Sequence, residues 1–197
     1  MKKNESKFVY LDCCESTNIE LHRLALNNAS NGTVVISKRQ TNGQGTHDRI
    51  FYSPDNTGIY MSVLLRNISS NRLLDITPLA AVVVHDVLKH FCFIKPKIKP
   101  VNDIYIGEKK VCGILTQTQT LNKAVQFVIV GIGINLFRPT GGFPNELADT
   151  AGYILEKYDN VIYNDVIEKI ADGLLTGASR LSDESFRNDI YKYYNEN

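Results

Sequence analysis

The sequence lacks long apolar runs and any large net charge, and both absences exclude whole classes of protein. No apolar stretch approaches the roughly 20 residues that cross a bilayer, and the opening Met-Lys-Lys-Asn-Glu-Ser-Lys has no apolar signal core. Lys and Arg number 22 against 21 Asp and Glu, so no overall field attracts the chain to nucleic acid or to a membrane. We therefore expect a cytoplasmic protein that binds neither DNA nor a membrane.

Cysteine is also scarce, which argues against a disulfide framework and a zinc site. The four cysteines include the neighbours Cys13 and Cys14, which cannot readily bridge each other, and no Cys-x-x-Cys or His-rich spacing is present. We expect the thiols to be reduced and to act as small buried hydrophobic groups. With 197 residues, 43% hydrophobic and 22% charged, the chain has the size and composition of one globular domain.

The spacing of apolar residues predicts an α+β fold, in which helices flank a mixed and largely antiparallel β-sheet. A capping box at Thr17 and Glu20 is expected to start the first helix, Thr77 to cap the second, and Ser182 to cap the last. Residues 107–108 are expected to form a hairpin turn. Strands are predicted over residues 8–11, 33–37, 58–65, 104–106, 111–116 and 125–130.

Residues 40–56 show neither a helical nor a strand period, and so long a structureless loop in a compact domain is usually functional or mobile. Its glycines Gly43 and Gly45 would let backbone amides approach a bound group, with a plain surface turn as the alternative. The loop is neither a Walker loop nor a Rossmann fingerprint. His85 and His90 have no spaced partners and are assigned to the surface of the second helix.

Three further segments could carry chemistry, and each has an ordinary structural alternative. Asn102 and Asp103 could hold a hydrated Mg²⁺, or could simply form an Asx turn before the hairpin. Lys110 would project an ammonium group beside the space left by Gly113, although hairpin lysines are usually just solvated. The alternating glycines within residues 131–135 indicate either a group that needs the space or a β-bulge.

Together these segments resemble the catalytic domain of the biotin protein ligases. The resemblance covers residues 16–135, and five motifs in a fixed order are far more specific than any one of them. The motifs are Ser-Thr-Asn at residues 16–18, the glycine-rich loop at 40–54, Lys-Pro-Val-Asn-Asp at 99–103, Lys-x-x-Gly-Ile-Leu at 110–115 and Gly-x-Gly-x-Asn at 131–135. The implied fold is the one that biotin ligases share with class II aminoacyl-tRNA synthetases.

The resemblance implies a two-step reaction. Biotin and ATP form biotinyl-5′-AMP, and a lysine in the biotin carboxyl carrier domain of a carboxylase then takes the biotin. Catalysis of the first step is mainly charge neutralisation and in-line positioning. Lys110 would bridge the biotin carboxylate and the α-phosphate, Arg49 would stabilise phosphate charge, and Asn102 with Asp103 would position Mg²⁺. Biotin and ATP are substrates, so no tightly bound prosthetic group is expected.

The same resemblance assigns binding residues for both substrates. The residues implied to contact biotin are Ser16, Thr17, Asn18, Gln40, Gly43, Gln44, Gly45, Tyr60, Lys110, Gly113, Ile132 and Gly133. The residues implied to contact the nucleotide are Thr46, His47, Arg49, Phe51, Asn102, Ile114 and Asn135. Phe51 stands where the family commonly has a tryptophan beside adenine, which would weaken stacking.

The chain departs from the family pattern in its loop and at both ends. Gln44 and Thr46 replace two arginines and Asp48 replaces a glycine, so the loop is expected to hold the adenylate less tightly or to use His47 as a donor. Few residues precede Ser16 and none follows the last helix. We therefore expect one catalytic domain over residues 1–197 without a DNA-binding or SH3-like domain. The sequence leaves open whether the protein is a homodimer.

Two other functions also stay open. A lipoate or octanoate ligase would share the fold and the lysine, but the Gly-Gly-Gly loop motif of those enzymes is absent. A non-catalytic protein that binds biotin or adenylate is the other alternative, favoured by Thr46, Asp48 and the expected absence of the C-terminal domain.

Overall fold

The computed structural model of the protein describes residues 7–46 and 49–197. The strands are β1 (Lys7–Leu11), β2 (Thr33–Ser37), β3 (Ile59–Leu65), β4 (Lys97–Lys99), β5 (Asp103–Ile106), β6 (Lys109–Leu121) and β7 (Ala124–Ile134). The helices are α1 (Thr17–Leu26), α2 (Ile76–Phe91), α3 (Asn145–Ala148), α4 (Asn160–Ser179) and α5 (Glu184–Glu196), with a 3₁₀ helix at Ser70–Asp75.

All seven strands form one sheet in the order β1-β2-β3-β7-β6-β5-β4. β1 and β2 are parallel, and every other neighbouring pair is antiparallel. The predicted α+β class is therefore confirmed. The hairpin turn at residues 107–108 is confirmed as well, since it joins β5 to β6.

Helices cover both faces of the sheet. On one face, α1 places Leu21 and Ala25 in an apolar cluster with Val35, Leu64 and Ile129. On the other face, α2, α4 and α5 contribute to a larger core. Every residue of β2 and β3 is buried, because the sheet is covered on both sides at these strands. This explains why both strands have continuous apolar runs instead of alternation.

The predicted capping box at the start of α1 is wrong. Ser16 occupies the N-cap position without a side-chain cap, and Thr17 is the first residue of the helix. The Thr17 amide donates to Gln40 Oε1 at 2.8 Å, and Glu20 pairs with Arg23 at 3.1 Å. Gln40, which is distant in the sequence, therefore accepts from the Thr17 amide that Glu20 was expected to cap.

The predicted caps of α2 and α5 are also wrong. Thr77 lies inside α2, because the chain already turns in the preceding 3₁₀ helix, and its hydroxyl lies 3.0 Å from that of Thr116. The last helix is capped by Asp183 instead of Ser182, and the Asp183 carboxylate accepts from two first-turn amides. The strand β4 was missed, because three residues between prolines carry almost no periodicity.

Two expectations about burial need correction. His85 is only 1% exposed, with its ring nitrogens 3.2 Å from Tyr193 Oη and 3.0 Å from the Pro96 carbonyl oxygen, whereas His90 is exposed as expected. All four cysteines are free, as expected, but Cys13 is exposed and Cys14 only half-buried.

Within the described residues, no helix has the length and apolarity needed to span a membrane.

Candidate active site

Two adjoining cavities lie where the loop of residues 40–56 meets the centre of the sheet. The first cavity has a volume of about 40 Å³ and is lined by Ser16, Thr17, Asn18, Gln40, Gln44, Gly45, Thr46, Phe51, Asn102, Lys110, Gly113, Ile114, Leu115, Gly131, Ile132 and Gly133. The second cavity has a volume of about 320 Å³ and is lined by Gly45, Thr46, Arg49, Ile50, Phe51, Tyr52, Asp103, Tyr105, Lys110, Asn135, Phe143, Leu147, Thr150 and Ala151.

Lys110 is the cationic side chain that lines both cavities. It lies near the start of β6, and its backbone pairs with the segment after α3 through hydrogen bonds to Thr150 and Gly152. Its Nζ lies 2.7 Å from Asp103 Oδ1, and a Cβ added at Gly113 would lie 3.3 Å from Nζ. The hairpin and the ion pair with Asp103 therefore hold this ammonium group against the glycine floor of the first cavity.

The opposite wall of the first cavity is a polar cluster around the start of α1. Gln40 Oε1 accepts hydrogen bonds from the Thr17 amide at 2.8 Å and from Thr17 Oγ1 at 3.2 Å, and Gln40 Nε2 donates to Ser53 Oγ at 2.9 Å. The buried Ser62 hydroxyl lies 2.8 Å from Thr17 Oγ1 and 2.5 Å from Asn18 Oδ1. These contacts hold hydroxyl and amide groups at fixed positions on the cavity wall.

The floor of the first cavity is formed by glycines of β6 and β7. Pairing of β7 with both neighbouring strands continues through Gly131 and Gly133, which excludes the β-bulge alternative at these residues. A Cβ on Gly131 would overlap the Asn18 side chain, and a Cβ on Gly133 would lie 2.6 Å from the Phe51 ring. The two glycines therefore leave room for side chains that lie directly on the sheet.

The Phe51 side chain lines both cavities. Its amide donates to the Gly43 carbonyl at 2.7 Å, which ties it to the loop, and its ring meets Tyr60 edge-on with 6.4 Å between centroids. Tyr60 is buried behind Phe51, its hydroxyl lies 2.8 Å from Thr57 Oγ1, and burial raises the pKa of Tyr60. Phe51 thus lies on the glycine floor of the first cavity and also borders the second.

Comparison with known proteins identifies the family. The model of the Biotin/lipoate A/B protein ligase family matches residues 10–135. The chain belongs to this family. It is 41% identical to the Bifunctional ligase/repressor BirA of Bacillus subtilis (strain 168) over 144 residues, which are 73% of this chain and 44% of that protein. A Biotin--[acetyl-CoA-carboxylase] ligase of Paracoccus denitrificans is 31% identical over 124 residues, which are 62% of this chain and 51% of that protein. This family member therefore spans about half the length, or less, of these curated relatives.

Solved structures agree with the family assignment. Biotin protein ligase from Aquifex aeolicus in complex with biotin and ATP superimposes with a TM-score of 0.79 at 27% identity, covering 96% of this chain and 77% of that chain. The biotin protein ligase of Leishmania major in complex with biotinyl-5-AMP gives a TM-score of 0.75 at 19% identity, covering 96% and 81% of the two chains, which shows a shared fold. The resemblance to a biotin protein ligase catalytic domain is confirmed.

The structure of this family member brings most of the implied site residues to the two cavities. Of the residues implied to contact biotin, all but Gly43 and Tyr60 line the first cavity. Gly43 and Tyr60 are instead buried around Phe51. Of the residues implied to contact the nucleotide, Thr46, Arg49, Phe51 and Asn135 line the second cavity. Asn102 and Ile114 line only the first, and His47 lies outside the described residues.

Several lining residues were missed by reasoning from the sequence. Leu115 and Gly131 line the first cavity, and both could have been found, because each lies two residues from a predicted glycine on the same strand face. The wall of the second cavity formed by Phe143, Leu147 and Ala151 had no such signal. Tertiary contacts bring this wall to the site, among them the backbone hydrogen bonds of Lys110 with Thr150 and Gly152.

Asn102 and Asp103 lie beside Lys110, where the sequence predicts a Mg²⁺ site. Asn102 Nδ2 donates to the Ile114 carbonyl at 2.6 Å, and Asp103 forms the ion pair with Lys110. Among residues 7–46 and 49–197 there is no group of three or more His, Cys, Asp or Glu that could hold a metal. One carboxylate and one amide oxygen fit Mg²⁺ only when substrate phosphates and water supply the other ligands.

Proposed function

We propose that this protein is an ATP-dependent biotin protein ligase that acts on the biotin carboxyl carrier domain of a carboxylase. The observation that supports the proposal is the position of Lys110, whose ammonium group borders both cavities beside the glycine floor. An ammonium group at such a boundary would neutralise a carboxylate on one side and a phosphate on the other. At about 4 Å and an effective dielectric constant near 20, one such attraction is worth about 4 kcal/mol before desolvation.

In this proposal, the first cavity holds biotin. Its ureido ring would hydrogen-bond to Thr17 and Gln40, and its carboxylate would face Lys110. The cavity of about 40 Å³ has room for only a few water molecules, so it must enlarge for biotin to enter, and we expect the Phe51 ring to move from its place over Gly133. The second cavity, which Phe51 also borders, is the space into which the ring would move.

The second cavity would hold the nucleotide. The biotin carboxylate oxygen attacks the α-phosphorus of ATP, the bond to the β-phosphate breaks, and pyrophosphate leaves with the electron pair of that bond. Lys110 would stabilise the charge at the reacting phosphate, and Arg49 would do so from the loop. Asp103 with Asn102 would hold Mg²⁺, which neutralises phosphate charge when it is bound. In the second step, the amine of the carrier lysine attacks the acyl carbon and AMP leaves.

The test is to incubate the protein with biotin, Mg²⁺ and α-labelled ATP, and to measure biotinyl-5′-AMP and the mass added to a carrier domain. Lys110→Ala is expected to lower adenylate formation at least about a hundredfold, because the ammonium group acts mainly in the transition state. Lys123→Ala is the control, since Lys123 is an exposed lysine in the turn between β6 and β7 and does not line either cavity. This control is expected to retain activity.

The same assay separates the alternatives. Transfer of lipoate instead of biotin would replace the proposal with a lipoate or octanoate ligase, which belongs to the same family model. Binding of biotin without adenylate formation by the unmodified protein would show a non-catalytic binding protein. Equal rates for Lys110→Ala and the unmodified protein would reject the assigned role of Lys110.

A further inference from the structure

Contacts from α2 and α5 hold the segment of residues 96–101, which contains β4 and leads into the site. From α2, a ring nitrogen of His85 lies 3.0 Å from the Pro96 carbonyl oxygen. From α5, the Tyr194 hydroxyl donates to the Val101 carbonyl at 2.6 Å, and the carbonyl of Asn197, just beyond α5, accepts from the Ile98 amide at 2.8 Å. None of the residues that make these contacts lines either cavity.

The contact at Val101 lies next to the site. Asn102, the following residue, pairs with Ile114 twice, because its side chain donates to the Ile114 carbonyl at 2.6 Å and its own carbonyl accepts from the Ile114 amide at 2.9 Å. Asp103 then forms the ion pair that directs Lys110. A displacement of the Val101 carbonyl would therefore be transmitted to the residues facing the reacting groups.

Pro100 and Val101 lie in the turn between β4 and β5, which is flanked by the strand pair Lys99–Asp103. The Val101 side chain is 66% exposed and Pro100 is exposed as well, so apolar packing contributes little to their position. The position of such a segment depends on its hydrogen bonds. Tyr194, by contrast, is 8% exposed and belongs to the main core together with Ile190 of the same helix. The Tyr194 hydroxyl thus links the firmly packed helix α5 to the weakly packed turn at Val101.

We propose that Tyr194 is a positioning residue for the adenylation site. Its hydroxyl fixes the Val101 carbonyl, and through it the Asn102–Ile114 pair and the Asp103–Lys110 ion pair. This inference rests on the proposed function for its kinetic part only. A misplacement of about 1 Å by a residue outside the chemistry can lower a rate up to about a hundredfold.

The chain offers a matched pair of variants on one helix. Tyr194→Phe removes the hydroxyl that reaches Val101 and keeps the buried ring. Tyr191→Phe removes a hydroxyl that donates to Asp75 Oδ1 at 2.8 Å, just before α2 and away from the site. Both variants lose one hydrogen bond from α5, so a general loss of stability would affect both.

The first measurement does not depend on activity. Because the Ile114 amide donates to the Asn102 carbonyl, its hydrogen exchange reports whether the site segment stays in place. Exchange at Ile114 is expected to be at least about tenfold faster in Tyr194→Phe than in Tyr191→Phe under conditions where both are folded. Equal exchange rates in the two variants would overturn the inference, whatever the function of the protein.

The second measurement is the rate of biotinyl-5′-AMP formation. In Tyr194→Phe, kcat is expected to fall about tenfold with KM for biotin unchanged, because Thr17 and Gln40 are held by separate contacts. The loss is expected to be smaller in an Asn102→Ala background, since part of the effect acts through the Asn102 side chain. A full additional loss in that background, or a kcat equal to that of Tyr191→Phe, would overturn the inference.

An unmodified protein that makes no adenylate contradicts the proposed function, and the exchange experiment then decides this inference alone.

Discussion

At the scale of single residues, the two glycines of β7 have different tolerance for a side chain. Three atoms of the Asn18 side chain lie within 3 Å of the position of a Cβ on Gly131, and Asn18 is buried and hydrogen-bonded to Ser62 and Gln117. The atoms near Gly133 belong to the Phe51 ring, which is half-buried and borders the second cavity. Hydrogen bonds hold the Asn18 side chain in place, whereas no hydrogen bond restrains the Phe51 ring, which borders the second cavity.

Gly131→Ala is therefore expected to be the more harmful variant. It should lower the free energy of unfolding by about 1–3 kcal/mol and abolish biotin binding, because a buried polar side chain is displaced. Gly133→Ala should cost less than about 1 kcal/mol, since the ring can move toward the second cavity. Urea unfolding and calorimetric titration with biotin measure both effects. The opposite order of the two stabilities would show that Phe51, and not Asn18, is the immobile neighbour.

At the scale of secondary-structure elements, His85 links α2 to the segment before β4 and to α5. Burial disfavours the charged imidazolium and Lys89 adds repulsion, so the pKa of His85 lies below its ordinary value of 6.5, although the Pro96 carbonyl and Asp86 oppose the shift. A histidine kept neutral in the folded state makes stability depend on pH, because the unfolded chain binds the proton more readily.

The free energy of unfolding is expected to fall as the pH is lowered through 6.5, with a slope of at most about 1.4 kcal/mol per pH unit. The loss stops below the lowered pKa of the folded state, where both states are protonated. His85→Gln should remove this part of the pH dependence, whereas His90→Gln on the exposed side of the same helix should keep it. Urea unfolding at pH 7.5, 6.5 and 5.5 measures the slopes. An unchanged slope in His85→Gln would contradict the prediction.

The bodies of most elements could be predicted from the sequence, but their ends could not. Continuous apolar runs located β2 and β3, and the turn residues 107–108 located the hairpin, because these signals are local in the sequence. The predicted start of α1 was wrong because the distant Gln40 accepts from the Thr17 amide, whereas the start of α2 was shifted by the preceding 3₁₀ helix and the cap of α5 by one residue. His85 was misplaced for the same reason, since its partners Tyr193 and Pro96 belong to other elements.

At the scale of the whole molecule, the sheet brings together segments that are far apart in the chain. The start of α1, the loop of residues 40–56, the β5–β6 hairpin and the end of β7 meet at one place on the sheet. The order and spacing of the motifs predicted that these segments form one site, because each segment carries its own glycines or polar residues. The wall of the second cavity formed by residues 143–151 could not be predicted, since only tertiary pairing brings it to Lys110.

Ligand binding at such a place should stabilise the whole fold, because the site joins both halves of the sheet. Biotin at about 100 times its Kd would raise the free energy of unfolding by about 2.7 kcal/mol. For a domain of this size that corresponds to a rise in Tm of about 5–10 °C. Differential scanning calorimetry with biotin, and with lipoate at the same concentration as the control, measures the effect.

Biotin alone should raise Tm, because the hydrogen-bonding wall of Thr17 and Gln40 suits a ureido ring and not a dithiolane. A larger rise with lipoate would favour the lipoate ligase alternative, and no rise with either acid would show that the first cavity does not bind the proposed substrate.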